Sequence, residues 1–305
     1  MTSMPVSTKT TLTRRQAIAA ATSAAAAATA FGANKGMFDK PLGVQLYTLR
    51  FVINNDTDNV LKSVADIGYK EVEVLRGSMW AQKPFYDKYG LKPVSGHFET
   101  PILTKGPAWQ GVPADYTLDK AIEDCHKLGM KYIVAPYVRP NERGDLDYFK
   151  KFADDLNKAG EQTAKAGITV CYHNHAFEFK GEPGQRIWDV MVERFDKKLV
   201  QFELDIFWVS VAGLVPIEVI KQLSGRMPLI HLKDKAWGTP QQFVESVKPE
   251  AFKEVGAGTL EWEPILRACA KAGVKHYLVE QDQTQRDPLA SIRLSFENLR
   301  KTKVA

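Results

Sequence analysis

Short apolar runs in this chain stop, one after another, at side chains that can bind a metal or carry a proton. The runs close on Gln45 and Tyr47, on Glu71 and Glu73, on Ser95 and His97, on His173, His175 and Glu178, on Glu203 and Asp205, on His231, Lys233 and Asp234, and on Glu280 and Asp282. Four of the six histidines (His97, His173, His175 and His231) fall at such ends, whereas His126 lies in a helical pattern and His276 begins a run, as structural residues would. Burying so many titratable groups without partners costs roughly several kcal/mol each, a cost that a bound cation offsets. Asp205, His231 and Glu280 close three successive runs, so neighbouring positions can aim them at one point. Carboxylates with one imidazole suit Mn²⁺, Mg²⁺, Co²⁺ or Zn²⁺, and mainly oxygen ligands put Mn²⁺ first. A fourth ligand is expected from the fifth run, where Glu178, His175 and His173 compete. Glu178 completes a set of three carboxylates and one histidine and is taken as that ligand.

Such a set suits proton transfer beside a carbonyl, with the cation stabilising the enediolate formed when the neighbouring C–H proton leaves. Bases for this step must titrate near neutrality, as histidine does unaided and glutamate does when partly desolvated. Glu280 with either Glu178 or His175 forms the expected acid–base pair. Lys233 is expected either to donate to the developing oxyanion or to pair with Asp234. Gln45, Glu73, His97 and His173 are assigned to substrate hydroxyls, and Tyr47 and Trp208 to the faces of a sugar ring, with core packing the alternative for Trp208. Returning the proton gives an isomerase or epimerase of an unphosphorylated sugar or keto-sugar. Expelling a β-oxygen gives a lyase or dehydratase of a keto-inositol or 3-keto-glycoside. The reading from another class is a non-catalytic, exported sugar-binding protein.

The elements that must position these residues follow a repeated pattern. A stretch of helical period ends in glycine and a β-branched run follows, at Gly68, Gly90, Gly129, Gly167 and Gly273. Glycine just past a helix accepts the left-handed backbone that stops it, and continuous apolar runs suit strands buried on both faces. Strands are predicted near 43–47, 70–75, 91–97, 131–136, 168–174, 199–205, 228–233 and 276–281. Eight units, no linker, and no Gly-rich turn after the first strand favour a single (β/α)8 TIM barrel over 34–305 against a doubly wound open sheet. Long connections at 98–118 and 236–262 are expected to elaborate one face.

Residues 1–33 read differently. They lack Asp and Glu, carry Arg14 and Arg15 before an Ala-rich stretch, and offer a small-residue cleavage site at Ala28 and Ala30. This is the pattern of a twin-arginine export signal, which implies a periplasmic or otherwise exported protein. Removing its three cations takes the net charge from +5 to +2, so no nucleic-acid partner is expected. The apolar stretch is too short for a stable membrane span. Cys125, Cys171 and Cys269 show neither metal nor redox spacing and are expected as small core residues. The expected partner is a small-molecule carbohydrate, and a homo-oligomer is compatible with the sequence.

The run from Gly43 to Arg50, the stretch Tyr172–Phe179, Asp205 with Trp208 and Gly213, His231–Asp234, Val255–Gly258 and Val279–Asp282 together resemble the xylose-isomerase-like barrels of the sugar phosphate isomerase/epimerase superfamily. The resemblance implies a Glu-Asp-His-Glu metal site drawn from strands five to eight. Asp205, His231 and Glu280 match in place. The fifth strand departs, with His173 near the position where many epimerases carry glutamate. The same fold hosts repair endonucleases, but these need more zinc ligands and a basic groove. An exported chain without a Gly-rich phosphate loop argues for unphosphorylated substrates.

Overall fold

Each glycine that ends a helix turns the chain into a strand of one closed ring. The computed structural model describes residues 36–304; the leader expected over 1–33 lies outside the described residues. The strands are β1 (Leu42–Gln45), β2 (Glu71–Leu75), β3 (Lys92–His97), β4 (Tyr132–Ala135), β5 (Thr169–His173), β6 (Val200–Asp205), β7 (Leu229–Leu232) and β8 (His276–Val279). All pair in parallel with their sequence neighbours, and β8 closes on β1 through Leu42 opposite Tyr277 and Val44 opposite Val279. The barrel unit spans Phe38–Val304, so the fold class expected from the pattern holds.

The crossover helices are α1 (Thr57–Ile67), α2 (Met79–Tyr89), α3 (Leu118–Leu128), α4 (Leu146–Lys165), α5 (Ile187–Arg194), α6 (Pro216–Gln222), α7 (Trp262–Ala272) and α8 (Pro288–Lys301). Gly90, Gly129 and Gly273 cap α2, α3 and α7 in the left-handed region, where a side chain would be strained. At the other ends Asp56, Thr117, Asp145 and Asp287 accept backbone N–H groups of α1, α3, α4 and α8, each cap worth about 1 kcal/mol. Among the described residues no helix is long and apolar enough to cross a membrane.

Inside the ring, Val94, Tyr132, Val134, Cys171, Leu229 and Leu278 form an apolar plug separate from the main core. Strand side chains alternate between faces, so two residues beyond Cys171, Leu229 and Leu278 the same face carries His173, His231 and Glu280. The plug thus forms a dry floor under the polar groups. Cys125, Cys171 and Cys269 are free and buried.

The long connection after β7 is ordered by one carboxylate. Asp234 accepts from the backbone N–H groups of Lys235, Gly256, Gly258 and Leu260 and from Trp262 Nε1, at 2.7–3.1 Å. A Cβ on Gly258 would lie 2.3 Å from Asp234 Oδ1, so glycine is needed for this close approach. The Val255–Gly258 segment is therefore a cradle for a side chain of the protein itself. Within the same connection, Asp234–Lys235 pairs antiparallel with Phe252–Lys253.

Candidate metal centre and active site

Four side chains on β5, β6, β7 and the end of β8 converge above the plug. His173, Asp205, His231 and Glu280 each offer a ligand atom, all within 4.8 Å of one another, and all four residues are buried. The hydrogen bonds behind them fix which atoms face inward. His231 Nε2 donates to Glu73 Oε2 at 2.6 Å, a carboxylate that also accepts from Gln45 Nε2 at 2.7 Å. His231 Nδ1 is thereby left facing Glu280 Oε2 at 2.7 Å and Asp205 Oδ2 at 3.9 Å. Neither His231 Nδ1 nor Glu280 Oε2 makes an aligned hydrogen bond. His173 Nδ1 donates to the Pro136 carbonyl at 3.1 Å and turns Nε2 toward Asp205 Oδ2 at 3.3 Å. Convergent, misaligned lone pairs of this kind are satisfied by a cation between them or by a second proton on each ring.

Charge favours the same conclusion. Glu73, Glu203, Asp205, Glu280 and Asp282 crowd the barrel mouth, and among the described residues Lys233 is the ammonium placed among them. Its Nζ lies 2.7 Å from Asp205 Oδ2 and 2.5 Å from Glu280 Oε2, and it donates to Asp282 Oδ1 at 3.0 Å. Asp234, the alternative partner, is occupied by its loop. Burial opposes the charge of Lys233, but Asp205, Asp282 and Glu280 outweigh it and hold the ammonium well above its usual pKa. Burial likewise opposes charge on His231, yet Glu203, Glu280 and Glu73 raise it well above the histidine range. The same carboxylates that hold these protons would also attract a divalent cation, which would have to displace the second proton of His231 to bind it.

Beneath lies a second group. His97 Nε2 sits 3.0 Å from Glu203 Oε2 and 3.3 Å from Glu73 Oε2. Burial disfavours its charge, but the two carboxylates hold its pKa up at about 10. Glu73, His97, Glu203 and His231 also offer mutually close ligand atoms, with His231 common to both groups.

Several expected positions change. Glu178, taken as the fourth ligand, is fully buried outside this cluster; it accepts from Tyr172 Oη at 2.7 Å and from the His175 N–H at 2.9 Å. Tyr172 packs among Phe152 and Phe195, on the helix side of β5. Glu178 therefore braces the loop, and burial lifts its carboxyl to about 7. His173 stands where that ligand was expected. Gln45 and Glu73, assigned to substrate hydroxyls, are fully buried below the cavity and bonded to each other. Glu203 and Asp282, which share strand parity with Asp205 and Glu280, also belong to the site, Glu203 in the lower group and Asp282 in the cavity lining. His126 bonds the Ala166 carbonyl and His276 pairs with Glu71 toward the amino ends of the strands.

A cavity of about 600 Å³ opens above the cluster, and His97, His173, His175, Trp208, Tyr47 and Glu280 all line it. His175 lies between Tyr137 and Trp208, with ring centroids at 4.7 and 5.2 Å. Its Nδ1 has no partner, and burial, with His173 and Lys233 nearby, holds its pKa well below the usual value. Trp208 is almost fully buried with Nε1 unpaired, so it serves as both core and wall. Arg76 is the one arginine or lysine lining the cavity among the described residues, and it is engaged by Glu99 at 2.5 and 2.9 Å.

Residues 61–302 match the family model described as xylose isomerase-like TIM barrel. The chain is 29% identical over 266 residues to an inosose dehydratase of Clostridium botulinum, covering 77% of this chain and 86% of that protein. A solved sugar phosphate isomerase/epimerase from Parabacteroides distasonis superposes with a TM-score of 0.68 at 25% identity, over 87% of this chain and 99% of its own. The IolI protein, solved with a bound zinc atom, gives a TM-score of 0.65 at 17% identity over 85% of this chain and 96% of its own, a likeness of fold alone.

Proposed function

Because the chain belongs to the xylose isomerase-like TIM-barrel family, we propose that it is a divalent-metal-dependent enzyme that removes a proton beside the carbonyl of a neutral keto-sugar or keto-polyol. The carrying observation is the convergence of His173, Asp205, His231 and Glu280, in which His231 Nδ1 and Glu280 Oε2 lack an aligned hydrogen bond. These four would hold the ion. Two imidazoles and two carboxylates shift the preference from the Mn²⁺ first expected toward Zn²⁺ or Co²⁺. When bound, the ion supplies Lewis-acid polarisation of the substrate carbonyl.

The remaining work falls to the chain. His175, which lines the cavity as a neutral imidazole, accepts the α-proton, since the loop position of Glu178 leaves His175 as the partner of Glu280. Lys233, anchored by Asp282, donates toward the developing enolate oxygen. Delivered to a β-hydroxyl, the proton leaves with it as water; delivered to the neighbouring carbon, it completes an isomerisation. Similarity to inosose dehydratases supports elimination, and the Parabacteroides structure supports isomerisation as the second reading. The paired state of Arg76 and the acidic lining argue for an unphosphorylated substrate, and export through a twin-arginine leader is part of the same proposal.

Incubation with neutral keto-polyols in D2O with Zn²⁺, Co²⁺ or Mn²⁺, followed by NMR, tests the reading. Deuterium uptake at the α-carbon with loss of water or carbonyl migration is expected, and Glu280→Gln should abolish it. Absence of exchange with every neutral keto-sugar and keto-polyol would overturn the mechanism.

A further inference from the structure

The cavity is larger than one ring requires. A six-membered polyol ring displaces roughly six or seven waters, about 200 Å³ at about 30 Å³ each, whereas the cavity measures about 600 Å³. The reacting ring belongs at the floor with His175 and Glu280, which leaves most of the volume toward the rim.

The rim carries a pinned aromatic platform. Tyr47 lines the cavity and is 40% exposed, and Phe51 nearby is 69% exposed. Between them lies the Arg50 guanidinium, 4.0 Å from the Tyr47 ring centroid and 4.2 Å from that of Phe51. Arg50 is itself fixed, donating through Nη1 to the Tyr47 carbonyl at 2.8 Å and through Nη2 to the Asp282 carbonyl at 2.6 Å. The Tyr47 N–H donates to Gln45 Oε1 at 3.0 Å. These bonds tie the platform to the ends of β1 and β8 and remove much of the entropy that an exposed aromatic would lose on binding. An ordered, half-open aromatic face beside a polyol site is suited to the C–H face of a second sugar ring. The other rim charges near the mouth are already paired, Arg76 with Glu99 and Arg143 with Glu245, so the outer moiety is neutral.

Resting on the proposed carbon-acid chemistry, we infer that the natural substrate has two rings: a keto-glycoside whose reacting ring occupies the floor and whose second, neutral sugar ring packs on Tyr47. Two measurements test this. In the first, calorimetry compares binding of a non-keto disaccharide with that of the matching methyl glycoside, independently of any reaction. The disaccharide should bind at least about tenfold more tightly. In the second, kcat/KM for the corresponding keto compounds should show a similar ratio, collapsing toward one in Tyr47→Ala and surviving in Tyr47→Phe. Equal binding of one-ring and two-ring ligands, or equal losses for both in Tyr47→Ala, would overturn the inference. Preferential disaccharide binding without α-proton exchange in any keto compound would uphold the outer subsite and sink the proposed reaction instead.

Discussion

Two layers of histidine and carboxylate are stacked in the mouth of this barrel, and they differ in alignment rather than composition. In the lower layer, donors meet acceptors: His231 Nε2 and Gln45 Nε2 reach Glu73, and His97 Nε2 reaches Glu203. In the upper layer, His231 Nδ1 and Glu280 Oε2 approach equally closely without an aligned bond. The lower arrangement acts as support because each imidazole Nε2 in it already has an aligned carboxylate acceptor, although Glu73 Oε1 and Glu203 Oε1 keep no partner. The upper one is suited to an added cation. The upper cluster is a candidate metal site because an imidazole nitrogen, His231 Nδ1, is left without an aligned partner there, and the layer beneath decides which nitrogen that is by engaging Nε2.

The contrast can be broken most strongly from above. Glu280→Gln removes a ligand and an acid–base group together, so kcat should fall by about 10²–10⁴-fold while circular dichroism stays native. Next is Lys233→Met, which leaves Asp205, Glu280 and Asp282 without their ammonium. The metal-free protein should lose about 3–5 kcal/mol in urea unfolding, and the loss should shrink when Zn²⁺ is added; an equal loss with and without Zn²⁺ would show that the two cations do not share carboxylates. From below, Glu73→Gln should weaken Zn²⁺ affinity about 10–100-fold with little change in fold, because the acceptor of the His231 Nε2 proton loses its negative charge. Unchanged affinity would reduce the lower layer to packing.

The smallest expected effect lies outside both layers. Burial raises Glu178 to about 7, so the folded state takes up a proton that the unfolded chain, with its lower carboxylate pKa, has released. The associated stability is present below the ordinary carboxylate range and is lost as pH rises toward 7. Between about pH 5 and pH 8 the urea midpoint should therefore fall more in the parent protein than in Glu178→Gln. Parallel curves would place Glu178 in a wetter setting.

The ring of strands was legible because eight apolar runs recur and, at five of them, glycine ends the helix that precedes the run. Direction was legible too, since period two places His231 and Glu280 on the face of Leu229 and Leu278. Depth was not. Gln45 and Glu73 point inward as expected but sit below the cavity, and nothing in a strand's periodicity tells a cavity-facing residue from one beneath it. Parity also ends where the strand ends. Beyond His173 the chain turns, and Glu178 folds back onto Tyr172 on the outer side. The group that converges with Asp205, His231 and Glu280 is therefore His173, five residues before Glu178 and on the inward face of the strand's alternation. Asp234 shows the same limit, since its five donors come from a loop whose path the sequence does not disclose.

The central claim is that His173, Asp205, His231 and Glu280 hold one divalent ion. Titrating the protein with Co²⁺ while recording its visible ligand-field spectrum tests this most directly. Saturation at one ion per chain is predicted, with bands that vanish in Asp205→Asn and persist in Glu178→Gln. A spectrum lost in Glu178→Gln but retained in Asp205→Asn, or no saturable binding at all, would contradict it.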